Sequence, residues 1–220
     1  MSNEKGQLIV ISAPSGAGKT SIIKNVIKKL NDESKKSTFS VSHTTRLPRD
    51  GDIDGSDYFF VSNEIFDELY EGGNFIETAE VHDYKYGTSK EFIDNNINQG
   101  INVFLEIDVQ GFQKLRSKNV EFRSMFILPP SIDELRERIQ KRGLDSEGVI
   151  EKRMKNALKE LGEAEKYDYL VINDVFEHAI EELLEMVINN DYLDHSRDKK
   201  LKVLQDLSVS YTHLRAHETG

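Results

Sequence analysis

The chain has 220 residues, enough for one domain with a substantial core, and its 37% hydrophobic and 31% charged content suits a water-soluble globular protein. A formal net charge of −10 excludes broad, sequence-independent binding to nucleic acid but not a phosphate ligand, which needs only a local cluster of cations and N–H groups. The absence of cysteine excludes disulfides and thiolate metal sites. The opening MSNEKGQ lacks the basic and apolar regions of a signal peptide, and no apolar run is long enough to cross a bilayer, so a cytoplasmic protein with no membrane partner is expected.

Leu8 to Ile11 has the length of one buried strand. It stops at Ser12-Ala13-Pro14, and a small-residue loop, Ser15-Gly16-Ala17-Gly18, leads into Lys19 and Thr20. Ile22, Ile23, Val26, Ile27 and Leu30 then recur with the spacing of an amphipathic helix. Strand, glycine-rich loop, Lys-Thr and helix is the arrangement that cradles a nucleoside triphosphate. Loop N–H groups point inward and the helix N-terminus lies behind them. Lys19 meets the outer phosphates, and the Thr20 hydroxyl is placed to ligate Mg²⁺. The usual pattern begins with Gly where this chain has Ala13. The competing reading, a strand-to-helix turn with an incidental lysine, is disfavoured by the matching strand and helix on either side.

Thr38 to Ser42 alternates briefly, as a short strand would. Ser42 to Phe60 then carries Arg46 and Arg49 around Leu47-Pro48, a Gly-Asp-rich turn, and Tyr58 at the head of a strand to Val61. Pro48 biases Leu47 away from helix, so the two arginines fall on an extended loop. Two guanidinium forks beside a phenol make a receptor for a phosphate dianion. Equally open is a solvated loop whose arginines pair with Asp50, Asp52 or Asp54. Ser62 reads as the N-cap of a helix that buries Ile65, Phe66 and Leu69 and ends at Gly72-Gly73. Phe75 to Val81 reads as a strand, Tyr84 to Gly87 as a second, and Ser89 as the cap of a helix stopped at Gly100. These short elements suggest that residues 38–99 form an insertion with its own small sheet.

Ile101 to Ile107 is nearly all apolar, as a strand buried on both faces should be, and it ends in Asp108. An acid at the carboxyl end of a central strand can hold Mg²⁺ or its waters, and it can equally cap the helix that follows. Arg123 to Leu128 is the next strand, halted by Pro129-Pro130, and Ser131 caps a helix with Ile132, Leu135 and Ile139 inward. Arg136, Arg138, Lys141, Arg142, Lys152, Arg153 and Lys155 form the densest basic region. The polar, glycine-bounded segment among them has the character of a lid that closes arginines over a phosphoryl group. The alternative is helix-surface pairing with Glu134, Glu137 and Glu151. Tyr169 to Asn173 is a last strand and Val175 to Ile188 a last amphipathic helix. Strand–helix alternation of this kind implies an α/β fold, a parallel sheet covered by helices. Leu193 to Leu207 could form a short polar helix. Val209 to Gly220 departs in character from the rest, so residues 191–220 are expected to be a tail whose end is non-native.

Together these stretches resemble the guanylate kinase family from about Gly6 to Ile188. The phosphate loop fits many enzymes; SHTTRLPRDGDIDGSDYFFV followed by FIETAEV, YKYGTS, LEIDVQG and RSMFILPPS is far more specific. The resemblance implies a P-loop nucleoside-triphosphatase core (residues 1–37 and 100–190), a GMP-binding insertion (38–99) and a helical lid (about 138–155). It implies transfer of the ATP γ-phosphoryl group to GMP, with Mg²⁺, in purine nucleotide metabolism. By match of position, Arg46, Arg49, Tyr58 and Tyr86 would hold the GMP phosphate, while Ser42, Glu77 and Thr88, with Asp108 close by, would read guanine. ATP would lie on Ala13, Pro14, Ser15, Gly16, Ala17, Gly18, Lys19 and Thr20, with Arg138 on the donor side. Lys19, Arg46, Arg142 and Arg153 would act on the transferring phosphoryl group; Thr20 would ligate the metal, with Asp108 a candidate to hold it through water. A non-catalytic, phosphopeptide-binding module of guanylate-kinase type is the alternative from another class. A kinase for another nucleoside monophosphate is a third reading, opposed by Glu77 with Ser42.

Overall fold

A computed structural model describes residues 5–218 apart from 82, 119, 142–146, 190, 191 and 193. The first apolar run, Leu8–Ser12, is β1 and is buried along its whole length. α1 (Lys19–Asp32) turns Ile22, Ile23, Val26 and Leu30 inward, the stripe that its spacing predicts. The strand expected over 38–42 begins and ends earlier, as β2 (Ser37–Phe39), and β3 (His43–Thr44) and β4 (Phe59–Phe60) flank the arginine loop. α2 (Asn63–Glu71) is capped by the Ser62 hydroxyl, which accepts from Ile65 N at 3.3 Å. Ile65 does not lie on the buried side: it is 49% exposed, and Phe66 alone is fully covered. A short helix on a small sheet buries a narrow stripe, and Ile65 lies about 100° round from Phe66.

β5 (Phe75–Val81) and β6 (Tyr84–Ser89) follow, then α3 (Lys90–Asn98), capped by Ser89. β7 (Asn102–Glu106) leads through Asp108 into α4 (Val109–Ser117), and β8 (Arg123–Leu128) has the predicted bounds. α5 (Ile132–Lys141), α6 (Glu147–Leu161), β9 (Tyr169–Ile172), α7 (Phe176–Ile188) and α8 (Arg197–Glu218) complete the chain. Five strands hydrogen-bond in the order β2-β7-β1-β8-β9, β2 running parallel to β7 and β8 to β9. The other sheet is mixed, in the order β4-β3-β6-β5, with β3 parallel to β4 and antiparallel to β6. The fold is α/β. It comprises two compact units, Met1–Val10 with Glu33–Phe122 and Ile11–Asp32 with Arg123–Gly220.

The final helix is longer than the sequence suggested, and its first half packs. Leu204 and Leu207 are 4% and 3% exposed, and α8 rests on β9, α5 and α6. Lys200 is as deeply covered as these leucines, with its ammonium on both Asp194 oxygens (2.9 and 3.0 Å) and on Glu182. The Asp194 side chain is 4% exposed, so removal of the lysine would leave a buried carboxylate without its cation. Lys200→Ala is therefore expected to cost about 3 kcal/mol in urea-induced unfolding. An unchanged midpoint would show that the Lys200 ion pairs contribute nothing to the fold.

Candidate functional site

The first unit contains a cleft of about 240 Å³, lined by Ser42, Tyr58, Glu77, Ala79, Tyr86, Glu106, Ile107 and Asp108. Five of the eight were singled out from sequence as acceptor-nucleotide residues: Ser42, Tyr58, Glu77, Tyr86 and Asp108. Ser42 lies in the β2–β3 connection, Tyr58 immediately before β4, Glu77 on β5, Tyr86 on β6 and Asp108 just past the carboxyl end of β7. The pairing of β5 with β6 shifts register between Phe75 and Glu77, which sets Glu77 opposite Thr88. A bulge of this kind re-aims a side chain, here into the cleft. Thr88 does not line the cleft; its Oγ1, fully buried, donates to Glu77 Oε1 at 2.9 Å. Glu77 is 3% exposed, and its Oε2 has no hydrogen-bond partner among the described residues.

Burial pushes the Glu77 carboxyl above its ordinary value of 4.5; nearby Asp108 adds to the rise, while the Thr88 bond, Lys114 and Lys118 oppose it. A buried carboxylate with one oxygen satisfied and the other bare is a receptor for a donor. Asp108 caps α4, with Oδ1 accepting from Gly111 N at 2.8 Å, so the capping alternative holds in the structure. Sequence reasoning missed Ala79, Glu106 and Ile107. Glu106 and Ile107 did carry a signal, since both stand at the carboxyl end of a central strand beside Asp108.

Arg46 is 8% exposed and held on all sides. Nη1 donates to Leu47 O and Nη2 to Asp52 Oδ2, both at 2.9 Å, and the guanidinium lies 5.2 Å from the Tyr58 ring centre and 5.6 Å from that of Phe60. Arg49 contributes its backbone N–H to the same Asp52 oxygen at 2.8 Å. The Asp52 carboxyl is held below its usual range, first by the Arg49 N–H and next by Arg46. The ion pair offered as an alternative to phosphate binding thus exists, but it fixes Arg46 against Tyr58, a wall of the cleft. Tyr58 and Tyr86 meet edge to face at 5.8 Å.

The second unit contains the glycine-rich loop. Ala17 N donates to Pro14 O at 3.1 Å, closing the turn, and Gly16 and Gly18 take φ of +96° and +84°. Ala13 is not among the positive-φ residues, so this conformation does not require a glycine there. Asn173, at the end of β9, donates from Nδ2 to Ala17 O at 2.8 Å, and a Cβ on Gly18 would come within 2.9 Å of that nitrogen. Asn173 was not singled out from sequence, although it ends a strand where α/β sheets place ligand residues.

Arg138 donates to Asn173 O at 3.1 Å and pairs with Glu134, while its buried Nη1 has no partner among the described residues. Arg153 Nη2 reaches Ser15 Oγ at 3.1 Å, which brings the basic region onto the loop. Arg136 pairs with Glu147 and Glu151, and Lys141 with Glu137; with the Arg138–Glu134 pair, these three follow the surface-pairing alternative anticipated. Lys19 and Thr20 open α1, whose first turn carries no acidic side chain to repel an anion. Arg142 lies outside the described residues. Among the described residues no group of three or more His, Cys, Asp or Glu could hold a metal ion, and no helix is long and apolar enough to cross a membrane. The Thr20 hydroxyl and Asp108 carboxylate are hard oxygen donors. Each, within its own unit, is of the donor type that suits Mg²⁺, an ion that keeps waters and takes most of its ligands from phosphates.

The family model described as guanylate kinase matches residues 5–190. The guanylate kinase of Caldanaerobacter subterraneus subsp. tengcongensis is 46% identical over 204 residues, covering 92% of this chain and 97% of that protein. That of Escherichia coli K12 is 46% identical over 198 residues, covering 89% and 93%. Among solved structures, guanylate kinase from Anaplasma phagocytophilum aligns with a TM-score of 0.67 at 30% identity, over 87% of this chain and 89% of that one. With that likeness running through both the glycine-rich loop and the Glu77 cleft, the chain belongs to the guanylate kinase family.

Proposed function

We propose that this protein transfers the γ-phosphoryl group of ATP to GMP, giving ADP and GDP, and that it acts as a soluble cytoplasmic enzyme of purine nucleotide metabolism. The observation that carries the reading is Glu77: nearly inaccessible, held at Oε1 by Thr88 and bare at Oε2. Guanine presents N1–H and the N2 amino group as adjacent donors, and one carboxylate can accept from both. Adenine presents an acceptor at N1 and would leave the buried oxygen unpaired, which makes discrimination large. In this reading Ser42 and Asp108 border the base, and Arg46, Arg49, Tyr58 and Tyr86 hold the acceptor phosphate. The insertion spans residues 38–99, and residues 1–37 with 100–190 form the nucleotide core.

The chemistry needs no covalent intermediate and no strong base, because the acceptor phosphate oxygen is already ionised at neutral pH. The chain has to align two anions in line and neutralise their repulsion. The loop from Ala13 to Thr20 cradles the donor phosphates through backbone N–H groups of residues other than Pro14, which has none, and Ala17, whose N–H closes the turn, and Lys19 adds a point charge. Arg138, Arg142 and Arg153 supply guanidinium forks on the donor side. Thr20 would hold Mg²⁺, Asp108 is a second candidate for it, and the ion would supply neutralising charge at the donor phosphates.

A coupled assay of ADP release, run with GMP, AMP, UMP and dTMP in turn, tests the reading. Turnover with GMP at least 10³-fold more efficient than with the others is expected. Comparable rates with another acceptor would reassign the substrate, and no turnover with any would favour a binding module. Asp52 offers a second check. Asp52→Ala frees Arg46 from its fixed position and should raise the KM for GMP about fivefold, with the KM for ATP unchanged. A shift in the ATP value instead would remove Arg46 from the acceptor site.

A further inference from the structure

The first turn of α4 carries a glycine that the proposed chemistry does not use. Gly111 sits two residues after the helix begins, where a glycine costs up to about 1 kcal/mol relative to alanine. No left-handed backbone requires it, since its φ is not positive. Nor does its cap bond, because any residue but proline could donate its N–H to Asp108 Oδ1. What a side chain would meet is informative. A Cβ there would stand 3.0 Å from Glu77 Oε2, 3.2 Å from Ile107 Cβ and 3.4 Å from Asp108 Oδ1. The nearest of these atoms is the one bare oxygen of the buried carboxylate.

We infer that Gly111 is a specificity-determining position: by withholding a side chain, it leaves Glu77 Oε2 free to sit against the first turn of α4 and accept from the guanine edge. It is a positioning residue and touches no reacting atom. Oε1 is tied to Thr88, so a methyl group at residue 111 would turn the carboxylate about that bond or push it into the cleft. Either movement misaligns the pair of acceptors that guanine needs. Asp108, on the other side of the would-be methyl and itself a wall of the cleft, would shift with it. The inference rests on Glu77 reading the base, as proposed above.

The test is a double-mutant cycle on GMP kinetics. Gly111→Ala should raise the KM for GMP about tenfold while leaving the KM for ATP within about twofold. In a Glu77→Gln background, where the paired acceptors are already lost, the same change should add less than about twofold. Equal losses in both backgrounds would show that Gly111 acts elsewhere, and an unchanged GMP value in the single variant would end the idea. Should Glu77→Gln leave GMP kinetics intact, the base-reading assignment fails as well, so the two failures are told apart.

Melting temperatures separate positioning from packing. Gly111→Ala should cost less stability in a Glu77→Ala background, where the carboxylate is gone, than in the parent protein. An equal or larger fall there would assign Gly111 to helix packing alone, whether or not the single variant folds.

Discussion

Glu77→Gln is expected to lower kcat/KM for GMP about 10³-fold and to leave the KM for ATP within about twofold of its starting value. The amide keeps one acceptor but turns a donor toward guanine N–H groups that are themselves donors. The loss thus combines a missing charge-assisted bond with a donor–donor clash in a site closed to water. Opposite behaviour is expected of the unliganded protein. The Glu77 carboxyl has a folded pKa above its ordinary 4.5, so between those two values the folded state binds more protons than the unfolded state. Stability therefore declines as pH rises through that window, and the cost is fully present above the folded pKa. Urea unfolding from acid to neutral pH should show this decline in the parent protein and a shallower one in Glu77→Gln. A buried carboxylate that destabilises its own fold fits the base-reading role proposed for Glu77. Parallel pH profiles would show that the carboxyl titrates normally.

Lys19→Met is expected to reduce kcat about 10³-fold, equivalent to about 4 kcal/mol of barrier, with GMP affinity little changed. The loop's backbone N–H groups remain in the variant, so ATP still has a cradle. What disappears is the point charge that meets the outer phosphates as negative charge moves between them. The methionine keeps the length of the stem and isolates the charge from packing. Equilibrium binding of GMP by calorimetry, beside steady-state rates, distinguishes this from general damage. A variant losing GMP affinity and rate together would place Lys19 on the acceptor side.

Much of this site was legible in the sequence because its parts are local. A strand, two glycines and Lys-Thr specify a phosphate loop within fourteen residues, and the loop forms as read, with Gly16 and Gly18 in the left-handed region. Ser62, Ser89 and Asp108 likewise cap the helices that follow them, since a cap depends only on neighbours three residues away. Non-local features were less accessible. The register shift that aims Glu77 at Thr88 is a property of paired strands. The Asn173 bond to Ala17 joins residues 156 apart, and Gly111 gains meaning only beside Glu77. Ile65 shows the limit of periodicity, which marks apolar positions without saying how wide a stripe the neighbours will cover. α8 shows another: its polar composition hid a packed half, because Lys200 is buried by pairing and not by hydrophobicity.

A crystal structure with GMP bound decides whether one bare carboxylate oxygen selects the substrate. Guanine N1 and N2 are expected within about 3 Å of the Glu77 carboxylate, with Thr88 still donating to Oε1. Guanine bound elsewhere, with Oε2 still lacking a partner, would contradict it.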